Sequence, residues 1–560
     1  MKKMKLLIIL LSIVLTSKAC SSKEVVPIIS SNQKLYYNAK IYTVNLNIPW
    51  AEAMIIKENK IVFIGSNSEA EQKVEKNAQR INLKGKLVLP GFHDVHMHPM
   101  EVGATTTSFE LDEAETDAEN YIATIKKAAR NNPDVEWLIG FGHSINTLFD
   151  AQRNPLEIID DAVSDRPVII MEQTSHSMWV NSKALELAGI TKNSSNPQGG
   201  IIMKDNGELN GILIDNAGDI VFQQAISSLN DANGEYDGMV NYVLPKLAKN
   251  GITSVSDART YWKREQHLTW KDLEKDGKLT ARFNLGLWAY PAEDDINQIA
   301  VLKSLFSNDE NSLLKINQIK LYSDGITHNT TAALHTNYLE DYFELPTNNG
   351  LNYFSENRIA KYIQELASVG FDFHIHAIGN RGVHEALNAI EKIGTSNGRH
   401  RLTHVEMIDQ SDISRFKTLN VTADAQVAGD FTKPNHWHEN ADLVGNTLAQ
   451  NLIPIKSLQD AGVRVTLSSD WNVSTLNPFV GIQNAVTRSP QNISLEEAIK
   501  AYTINGAYTM RQETKVGSLE AGKLADFVVV DKDIFEITPN KINTTKVVLT
   551  VFNGKEIYKK

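Results

Sequence analysis

The apolar residues in the long middle part of the chain fall into short runs separated by polar and amphipathic stretches. Between several of these runs, apolar side chains recur at helical spacing, as they do in residues 357–369, 382–393 and 455–461. Eight runs have the length and bounded ends of β-strands, and they lie at residues 87–95, 252–257, 282–289, 316–323, 371–376, 401–405, 421–426 and 464–469. Strands that alternate with helices in this way are typical of a TIM (β/α)8 barrel, so the pattern predicts this α/β fold.

The segment between the first and second of these strands is too long for a single βα unit. It predicts a subdomain inserted after barrel strand 1, at about residues 105–238. Because the loops that follow the strands of a TIM barrel build its active site, we expect the insertion to cover that site and to shape its pocket.

Both ends of the chain are rich in short strands. One hairpin is predicted at residues 53–64 and another at residues 547–558, where an Asn-Gly pair forms the turn. Since domain termini often lie close together, we expect residues 35–86 and 512–560 to form one composite β-sandwich domain. The barrel domain would then span residues 87–511.

The first 19 residues have the features of a secretory signal peptide. Three lysines precede an apolar run that is too short to span a bilayer, and small residues follow at the cleavage spacing. The only cysteine, Cys20, comes next, which predicts a lipoprotein whose Cys20 is lipidated and whose residues 20–34 form a tether. Lys18 is unusual before such a cleavage position, so a soluble exported protein is the alternative.

The expected location is therefore the periplasmic side or the outer face of a bacterial membrane. Membrane contact would be made only through the lipid anchor, and a soluble periplasmic protein is the alternative. Beyond the leader, no stretch approaches the roughly 18 apolar residues of a membrane helix.

Composition narrows the choice of function. With 56 Lys+Arg against 67 Asp+Glu, the formal net charge is −11, which argues against a nucleic-acid partner. A content of 42% hydrophobic and 22% charged residues is ordinary for a folded protein and excludes a disordered, collagen-like or coiled-coil chain. The single cysteine excludes internal disulfides and CxxC metal sites.

The segment PGFHDVHMHP at residues 90–99 ends the first predicted barrel strand. Because side chains alternate between the faces of a strand, Asp94, His96 and His98 point to the same side, which we expect to be the barrel mouth. Two imidazoles at the C-terminal end of a barrel strand suit a divalent metal ion. An isolated H-x-H pair also arises by chance, but its position after an apolar strand and a Pro-Gly pair favours a metal site.

Three further strand ends carry potential metal ligands. His374 and His376 form a second H-x-H pair, His404 lies at the end of strand six, and Asp470 directly follows strand eight. Each of these residues alone could be structural. Together with the first pair they occupy strands one, five, six and eight of the same predicted barrel, which favours a shared site.

Lys320 lies within the fourth predicted strand, between apolar neighbours. One interpretation is that it extends its amine to solvent. The other is that the amine is desolvated, loses its proton and takes up carbon dioxide as a carbamate, which is an anionic oxygen ligand. The residues alone leave both interpretations open.

Taken together, these segments resemble the amidohydrolase superfamily over almost the whole mature chain. The resemblance is greatest to the amidohydrolase family 3 group that includes N-substituted formamide deformylases. The segments that carry it are PGFHDVHMHP, SHSMWVNSKAL, PQGGIIMKDNGELNGILIDNA, GITSVSDA, IKLYSDG, HIHAIGN, RLTHVEMID, SSDWNV and VGSLEAGKLADFVVVD. The first and last are widely shared in the superfamily, whereas residues 179–185 and the segment GILIDNA are specific to this group.

The resemblance implies a centre of two divalent ions, expected to be zinc. The ligands that it implies are His96 and His98 for the more buried ion, His376 and His404 for the second ion, Lys320 as a bridging carbamate, and Asp470 for the first ion. Asp470 would also be the catalytic residue that carries the proton. His374 has no such role in the family and is expected in the wall of the barrel.

The sequence also departs from the family pattern. Asn380 stands where relatives usually carry Asp, Glu406 where Gln is frequent, and His143 where Trp is common. These changes leave the implied metal ligands intact but leave the substrate open. His143, His176 and His328 are candidate substrate contacts, with a structural role as the alternative for each.

The resemblance implies a hydrolase that cleaves the C–N bond of an amide, formamide or cyclic amide with a metal-activated hydroxide. A mononuclear deaminase of the same superfamily is the alternative enzyme, and a ligand-binding lipoprotein without catalysis is the alternative outside enzymes. The expected partner is a small amide-type substrate. The oligomeric state is left open, a homodimer included.

Overall fold

The computed structural model describes residues 32–103, 108–227, 232–343, 345–394, 397–429, 432–433 and 437–560. The predicted signal peptide, Cys20 and most of the predicted tether lie outside these residues. In the described part of the chain, no helix combines the length and the apolar character that a membrane crossing needs.

The strands are numbered here in chain order. They are β1 (Gln33–Tyr37), β2 (Lys40–Tyr42), β3 (Trp50–Ala51), β4 (Ala53–Lys57), β5 (Lys60–Gly65), β6 (Gln79–Asn82), β7 (Leu87–Pro90), β8 (Phe92–Met97), β9 (Phe109–Glu110), β10 (Leu138–His143), β11 (Val168–Glu172), β12 (Ser177–Val180), β13 (Gly200–Asp205), β14 (Glu208–Asp215), β15 (Ile252–Thr260), β16 (Arg282–Trp288), β17 (Leu314–Tyr322), β18 (Asp372–Ala377), β19 (Arg401–His404), β20 (Thr422–Gln426), β21 (Val465–Ser468), β22 (Phe527–Val530), β23 (Val547–Phe552) and β24 (Lys555–Lys559).

The helices follow the same convention. They are α1 (Asn67–Lys73), α2 (Pro99–Gly103), α3 (Tyr121–Asn131), α4 (Ile145–Phe149), α5 (Pro155–Ala162), α6 (Ser182–Leu187), α7 (Asn216–Ser227), α8 (Ala232–Gly238), α9 (Leu244–Lys249), α10 (Gln266–Lys275), α11 (Asp295–Leu305), α12 (Glu356–Ala367), α13 (Asn380–Ile393), α14 (Gln410–Thr418), α15 (Trp437–Val444), α16 (Asn446–Ala449), α17 (Ile455–Asp460), α18 (Pro478–Thr487), α19 (Leu495–Ala501) and α20 (Ile504–Thr509).

An eight-stranded parallel sheet in the order β21-β20-β19-β18-β17-β16-β15-β8 forms the barrel. Beyond the ends of the first and last strands, the Asp470 amide donates to the His96 carbonyl at 2.9 Å, and the His98 amide donates to the Trp471 carbonyl at 2.9 Å. These bonds bring β8 beside β21 and nearly close the sheet. The TIM-barrel-like α/β fold predicted from the eight apolar runs is therefore confirmed.

The first predicted strand is corrected by the structure. Residues 87–95 form two strands rather than one, since β7 pairs with terminal strands and only β8 enters the barrel. Gly91 separates them, and its amide donates to the Asp526 carbonyl at 3.0 Å. A Cβ at Gly91 would lie 2.3 Å from Thr253 Oγ1, so only glycine allows this close approach of the backbone to β15.

The segment between β8 and β15 carries a sheet of its own, in the order β13-β14-β12-β11-β10-β9. Alternate residues of this sheet face two separate hydrophobic clusters. Trp179 and Ile212 pack with α3 and α5 on one side, and Met178 and Leu213 pack with α7 on the other. Because both faces are covered, this insertion has its own core beside the barrel.

Strands from both ends of the chain share the sheet β24-β23-β22-β7-β2-β3, and a second sheet runs β5-β4-β1-β6. Side chains from the two ends, including Tyr36, Met54, Phe527 and Val551, belong to one hydrophobic cluster. Both predicted hairpins are present, as the pairs β4–β5 and β23–β24. The extent of this unit as a separate domain stays a prediction.

The barrel strands present polar side chains to the interior and apolar side chains to the helices. On β17, Ile319 and Leu321 join the hydrophobic core. Gln318 faces inward, where its Oε1 accepts from Ser256 Oγ at 2.6 Å and from Arg401 Nη2 at 3.0 Å. Lys320, two residues further along β17, therefore also points into the barrel.

Candidate metal centre and active site

Four histidines and one aspartate meet at the carboxyl end of the barrel. Asp470 Oδ1 lies 3.2 Å from His96 Nε2 and 3.2 Å from His98 Nε2. Asp470 Oδ2 lies 4.0 Å from His404 Nδ1, and the His404 ring centroid is 4.4 Å from that of His376. The structure thus brings together the predicted ligands from strands β8, β18 and β19 and from the loop after β21.

These distances fit a divalent metal. Zinc–nitrogen and zinc–oxygen bonds of about 2.0–2.2 Å at tetrahedral angles place neighbouring ligand atoms about 3.3–3.6 Å apart. His96, His404 and Asp470 each offer an atom such that all of these atoms lie within 4.8 Å of one another. His376 Nδ1 is buried without a hydrogen-bond partner. Its lone pair is therefore available to a metal ion at the same site.

Lys320 lies on the floor of this cluster. Its side chain is fully buried, and Nζ is 3.5 Å from His96 Nδ1. Burial lowers the pKa of the Lys320 ammonium well below its usual value, and the negative charge of Asp470 opposes this only in part. Of the two interpretations left open by the sequence, solvent exposure is therefore wrong.

His96 is held on the side away from Asp470. His96 Nδ1 lies 2.7 Å from His374 Nε2 and 3.2 Å from Thr403 Oγ1. The Thr403 hydroxyl donates to Asp424 Oδ2 at 2.7 Å. His374 Nδ1 accepts from Arg401 Nη2 at 2.6 Å, so neutral His374 carries its proton on Nε2 and donates a hydrogen bond to His96 Nδ1. His374 lies in the barrel wall, as expected.

His98 has a support that the sequence analysis did not identify. Its Nδ1 lies 3.2 Å from Glu101 Oε1. Arg259 Nε and Nη2 in turn donate to the two Glu101 oxygens at 3.0 Å each, and Nη1 donates to Tyr322 Oη at 3.3 Å. The only signal in the sequence is that Glu101 follows His98 by three residues, within what becomes α2.

The charge state favours metal binding at Asp470 and at three of the four histidines, whereas at His98 burial lowers the pKa but Glu101 and Asp470 raise it above its usual value. Burial lowers the pKa values of His96, His376 and His404 well below the usual value, which keeps these rings in the neutral form that binds metals. Burial alone would raise the pKa of Asp470, but its electrostatic interaction with His96 and the hydrogen bonds from His96 and His98 lower it well below its usual value. Asp470 is therefore an anionic ligand.

A cavity of about 950 Å³ opens above the cluster. His376, His404 and Asp470 line its floor, and its walls come from several loops that follow barrel strands. The insertion contributes five described lining residues, namely Glu113, Asn146, Gln173, Thr174 and His176. The expected proximity of the insertion to the active site is therefore seen in the structure.

His176 is an insertion residue that lies beside the cluster. It lines the cavity, and its ring centroid is 5.6 Å from His376 and 5.8 Å from Tyr322. His176 Nδ1 lies 2.7 Å from Asp215 Oδ1, whose side chain is completely buried. Asp215 adopts a φ of 50°, a left-handed conformation that Asp tolerates better than most residues.

The other two candidate substrate contacts differ in position. His328 lines the cavity, and its Nε2 is buried without a hydrogen-bond partner. His143 is fully buried and is not among the described residues that line the cavity; its ring centroid lies 6.0 Å from that of Trp179. The structure therefore favours the structural alternative for His143, because its side chain packs into the core of the insertion.

Two buried aspartates brace the loops around the centre. Asp94 Oδ1 accepts from the Ser469 amide at 3.2 Å and from the His96 amide at 3.3 Å, which ties β8 to the segment that carries Asp470. Asp324 accepts three backbone amides from two neighbouring loops. Asp94 was identified from the sequence by its place on the same strand face as His96 and His98, and Asp324 was not identified at all.

Glu406 also lines the cavity, two residues after His404. Its Oε2 accepts from Thr327 Oγ1 at 3.0 Å. Burial raises the pKa of Glu406 to about 7, which the Thr327 hydrogen bond opposes only in part. Glu406, which stands where Gln is frequent in the family pattern, is thus part of the cavity wall.

The sequence of the chain is similar to a known protein family and to individual proteins. The sequence profile of the amidohydrolase family matches residues 79–558. The Bacillus subtilis (strain 168) protein YtcJ is 28% identical over 548 residues, which cover 94% of this chain and 99% of YtcJ. The N-substituted formamide deformylase of Arthrobacter pascens is 25% identical over 546 residues, which cover 92% of this chain and 96% of that enzyme.

A solved structure shares the same fold. An uncharacterized metal-dependent hydrolase from Pyrococcus horikoshii OT3 has a TM-score of 0.71 and 22% sequence identity. The likeness covers 91% of this chain and 99% of that protein. At this identity it shows the fold alone.

Proposed function

The chain belongs to the amidohydrolase family, and on that basis we propose that it is a metal-dependent hydrolase that cleaves a C–N bond in a small amide, formamide or cyclic amide. The observation that carries the proposal is the convergence of His96 and His98 on one oxygen of Asp470, beside His404, at the floor of a large cavity. A ligand-binding protein without catalysis would not need this set of donors around a buried carboxylate.

The proposed centre holds two divalent ions, expected to be zinc. The residues that would hold them are His96, His98, His376, His404, Asp470 and Lys320, the last as a carbamate. Such ions, when bound, lower the pKa of water and polarise a carbonyl group. The carbamate is proposed because an uncharged, buried Lys320 amine lies beside His96, and such an amine can take up carbon dioxide to give an anionic ligand that attracts the ions.

The chain's own residues then carry the proton and position the reactants. Asp470, ionised and directed into the cavity, would accept the proton of the attacking water and return it to the leaving amine. Thr403 and His374 hold His96, and Glu101 holds His98. The insertion covers the reacting groups from solvent on the side of His176.

The test combines metal analysis with an assay. The purified mature protein should contain one or two zinc-like ions per chain and should hydrolyse members of a panel of formamides, acetamides and lactams. Removal of the metal with a chelator should abolish turnover, and reloading should restore it. Full activity in a metal-free preparation would refute the proposal, and the ratio of metal to protein decides between one ion and two.

A further inference from the structure

The cavity lining carries acidic side chains, and no lysine or arginine among its described residues balances them. Its described lining residues include the carboxylates Glu113, Glu406 and Asp470 but no lysine and no arginine. An amidohydrolase whose substrate ended in a carboxylate or phosphate would need a cation to bind that group, because a buried unpaired anion is costly. The described lining offers none.

Three buried cations of the barrel lie outside the cavity lining. Arg259 forms a two-point ion pair with Glu101, and its side chain is 6% exposed. Arg401 is buried and donates to the Val95 carbonyl at 2.8 Å and to Ser256 Oγ at 2.7 Å. Lys320 is fully buried beneath the cluster. None of these three is among the lining residues.

Of the three carboxylates among the described lining residues, Glu406 is the partly buried one that has no role in the proposed metal centre. Asp470 belongs to the proposed metal centre, and Glu113 lies exposed at the side of the insertion. Glu406 accepts one hydrogen bond, from Thr327 Oγ1 to Oε2, and no described lysine or arginine forms an ion pair with it. Its second oxygen is therefore available to a group in the cavity.

His176 provides a second acceptor on the same cavity. Its hydrogen bond to Asp215 is short, at 2.7 Å, and places the proton of the neutral ring on Nδ1. Nε2 then carries a lone pair and accepts a hydrogen bond. Because His176 and Glu406 both line the cavity, the site presents acceptors where a substrate would present donors.

We propose that the substrate carries a protonated amine on its non-reacting arm, and that Glu406 binds this ammonium group while His176 accepts from a neighbouring N–H. The site thereby selects cationic amides over neutral ones and rejects those with a carboxylate arm. This inference rests on the proposed function and names the substrate class of the same site.

The experiment uses three formamides with the same five-carbon arm, which ends in a methyl, an ammonium or a carboxylate group. The compounds are N-hexylformamide, N-formyl-1,5-diaminopentane and N-formyl-6-aminohexanoate. Their kcat/KM values are measured with the metal-loaded enzyme well above neutral pH, and their affinities are measured by calorimetry. The ammonium compound should exceed the methyl compound by at least about tenfold, and the carboxylate compound should rank last.

The variant Glu406→Gln should remove this preference, since the amide keeps the size of the side chain but not its charge. The ratio of ammonium to methyl kcat/KM should fall at least about tenfold. Glu186→Gln, at an exposed position of α6, is the matched control and should leave the ratio unchanged. Metal content and the thermal midpoint of both variants report whether the centre and the fold remain intact.

The outcomes separate the two proposals. Hydrolysis without discrimination among the three arms, or equal affinities for them, overturns the charge selection but leaves the hydrolase proposal standing. No turnover of any arm, with the ammonium compound still bound more tightly than the others, counts against the hydrolase proposal alone. Loss of metal from Glu406→Gln would make Glu406 a metal ligand and overturn its assigned role.

Discussion

At Lys320, the structure decides a question about the side-chain amine that the sequence leaves open. The sequence left open whether its amine reaches solvent, and the structure places that amine on the floor of the barrel at 3.5 Å from His96. Burial removes the water that stabilises an ammonium ion, so the neutral amine is favoured. A neutral amine can react with carbon dioxide, and nearby divalent ions would stabilise the carbamate.

Lys320→Ala should therefore lose one of two bound ions and most of the turnover. A fall of at least about a hundredfold in kcat is expected, since even residues that only orient metal ligands cost about 10–100-fold. The measurement is metal content by elemental analysis together with steady-state kinetics. Short carboxylates, added to the variant, should restore part of the activity by replacing the carbamate oxygens.

Lys315→Ala is the control, because Lys315 lies on the same strand but pairs with Glu310 at 3.6 Å, away from the cluster. It should keep both metal and activity. An intact mass that shows unmodified Lys320 in fully active, metal-loaded enzyme would contradict the carbamate. The centre would then hold one ion, bound by His96, His98 and Asp470.

Among the elements, strands could be predicted better than the contacts between loops. All eight barrel strands were located from their apolar runs, because strands buried on both faces show nearly continuous hydrophobic sequence. The division of residues 87–95 at Gly91 could not be predicted, since it depends on Thr253 of another strand. The sequence pattern does not show that contact.

The same distinction holds for the site. His96, His98, His404 and Asp470 were found because each lies at the end of a strand, and the barrel brings strand ends together. Glu101 and Arg259 were missed because their pairing joins α2 to β15, and no local periodicity reports it. The burial of His143 could not be predicted either, since this residue ends strand β10 of the insertion and its surroundings depend on how the insertion packs.

Asp324 shows how a single side chain holds two elements of the site in place. Oδ1 accepts from the Ile378 amide at 3.0 Å, and Oδ2 accepts from the amides of Gly379 at 2.8 Å and Ala333 at 2.9 Å. These contacts join the loop after β17 to the turn between β18 and α13. Position and orientation of His376 at the end of β18 therefore depend on a carboxylate outside the metal centre.

Asp324→Ala should destabilise the protein, because three buried amides lose their acceptor. Each unsatisfied buried donor costs about 1–3 kcal/mol, so a loss of about 3 kcal/mol or more is expected. The measurement is the urea midpoint followed by circular dichroism. Asp309→Ala, which removes an exposed carboxylate that accepts from the Asn311 amide at 2.9 Å, is the matched control and should shift the midpoint far less. Equal shifts would show that the Asp324 contacts contribute little.

At the scale of the whole molecule, the first 20 residues bear on the location of the protein. We propose that Cys20 is lipidated and tethers the protein to a bacterial membrane, as its position after an apolar run suggests. Several acyl chains hold a protein firmly, whereas one alone binds only marginally. Cys20→Ser should move the protein from the membrane fraction to the soluble fraction on fractionation of the expressing cells. Unchanged membrane association of the variant would contradict the anchor.

A buried ion pair joins the C-terminal strands to the barrel. Arg282, the first residue of β16, donates to Asp526 before β22 and to Asn553 in the turn between β23 and β24. The side chains of the pair are 9% and 2% exposed, and the guanidinium lies 4.7 Å from the centroid of the Phe552 ring. The same Asp526 accepts the Gly91 amide through its carbonyl, at the point where β7 leads into β8.

Arg282→Met should consequently destabilise the whole protein rather than one sheet, because it leaves the Asp526 carboxylate buried without its partner. Removal of one member of a buried pair costs about 3–5 kcal/mol, whereas replacement of both members by apolar residues is often neutral. Arg282→Met combined with Asp526→Leu should therefore recover much of the loss, which a double-mutant cycle of urea midpoints measures. Lys192→Met, which breaks the exposed pair with Glu208, should cost only about 0–1 kcal/mol. If Arg282→Met is as well tolerated as Lys192→Met, the terminal sheets and the barrel are held together by their apolar contacts alone.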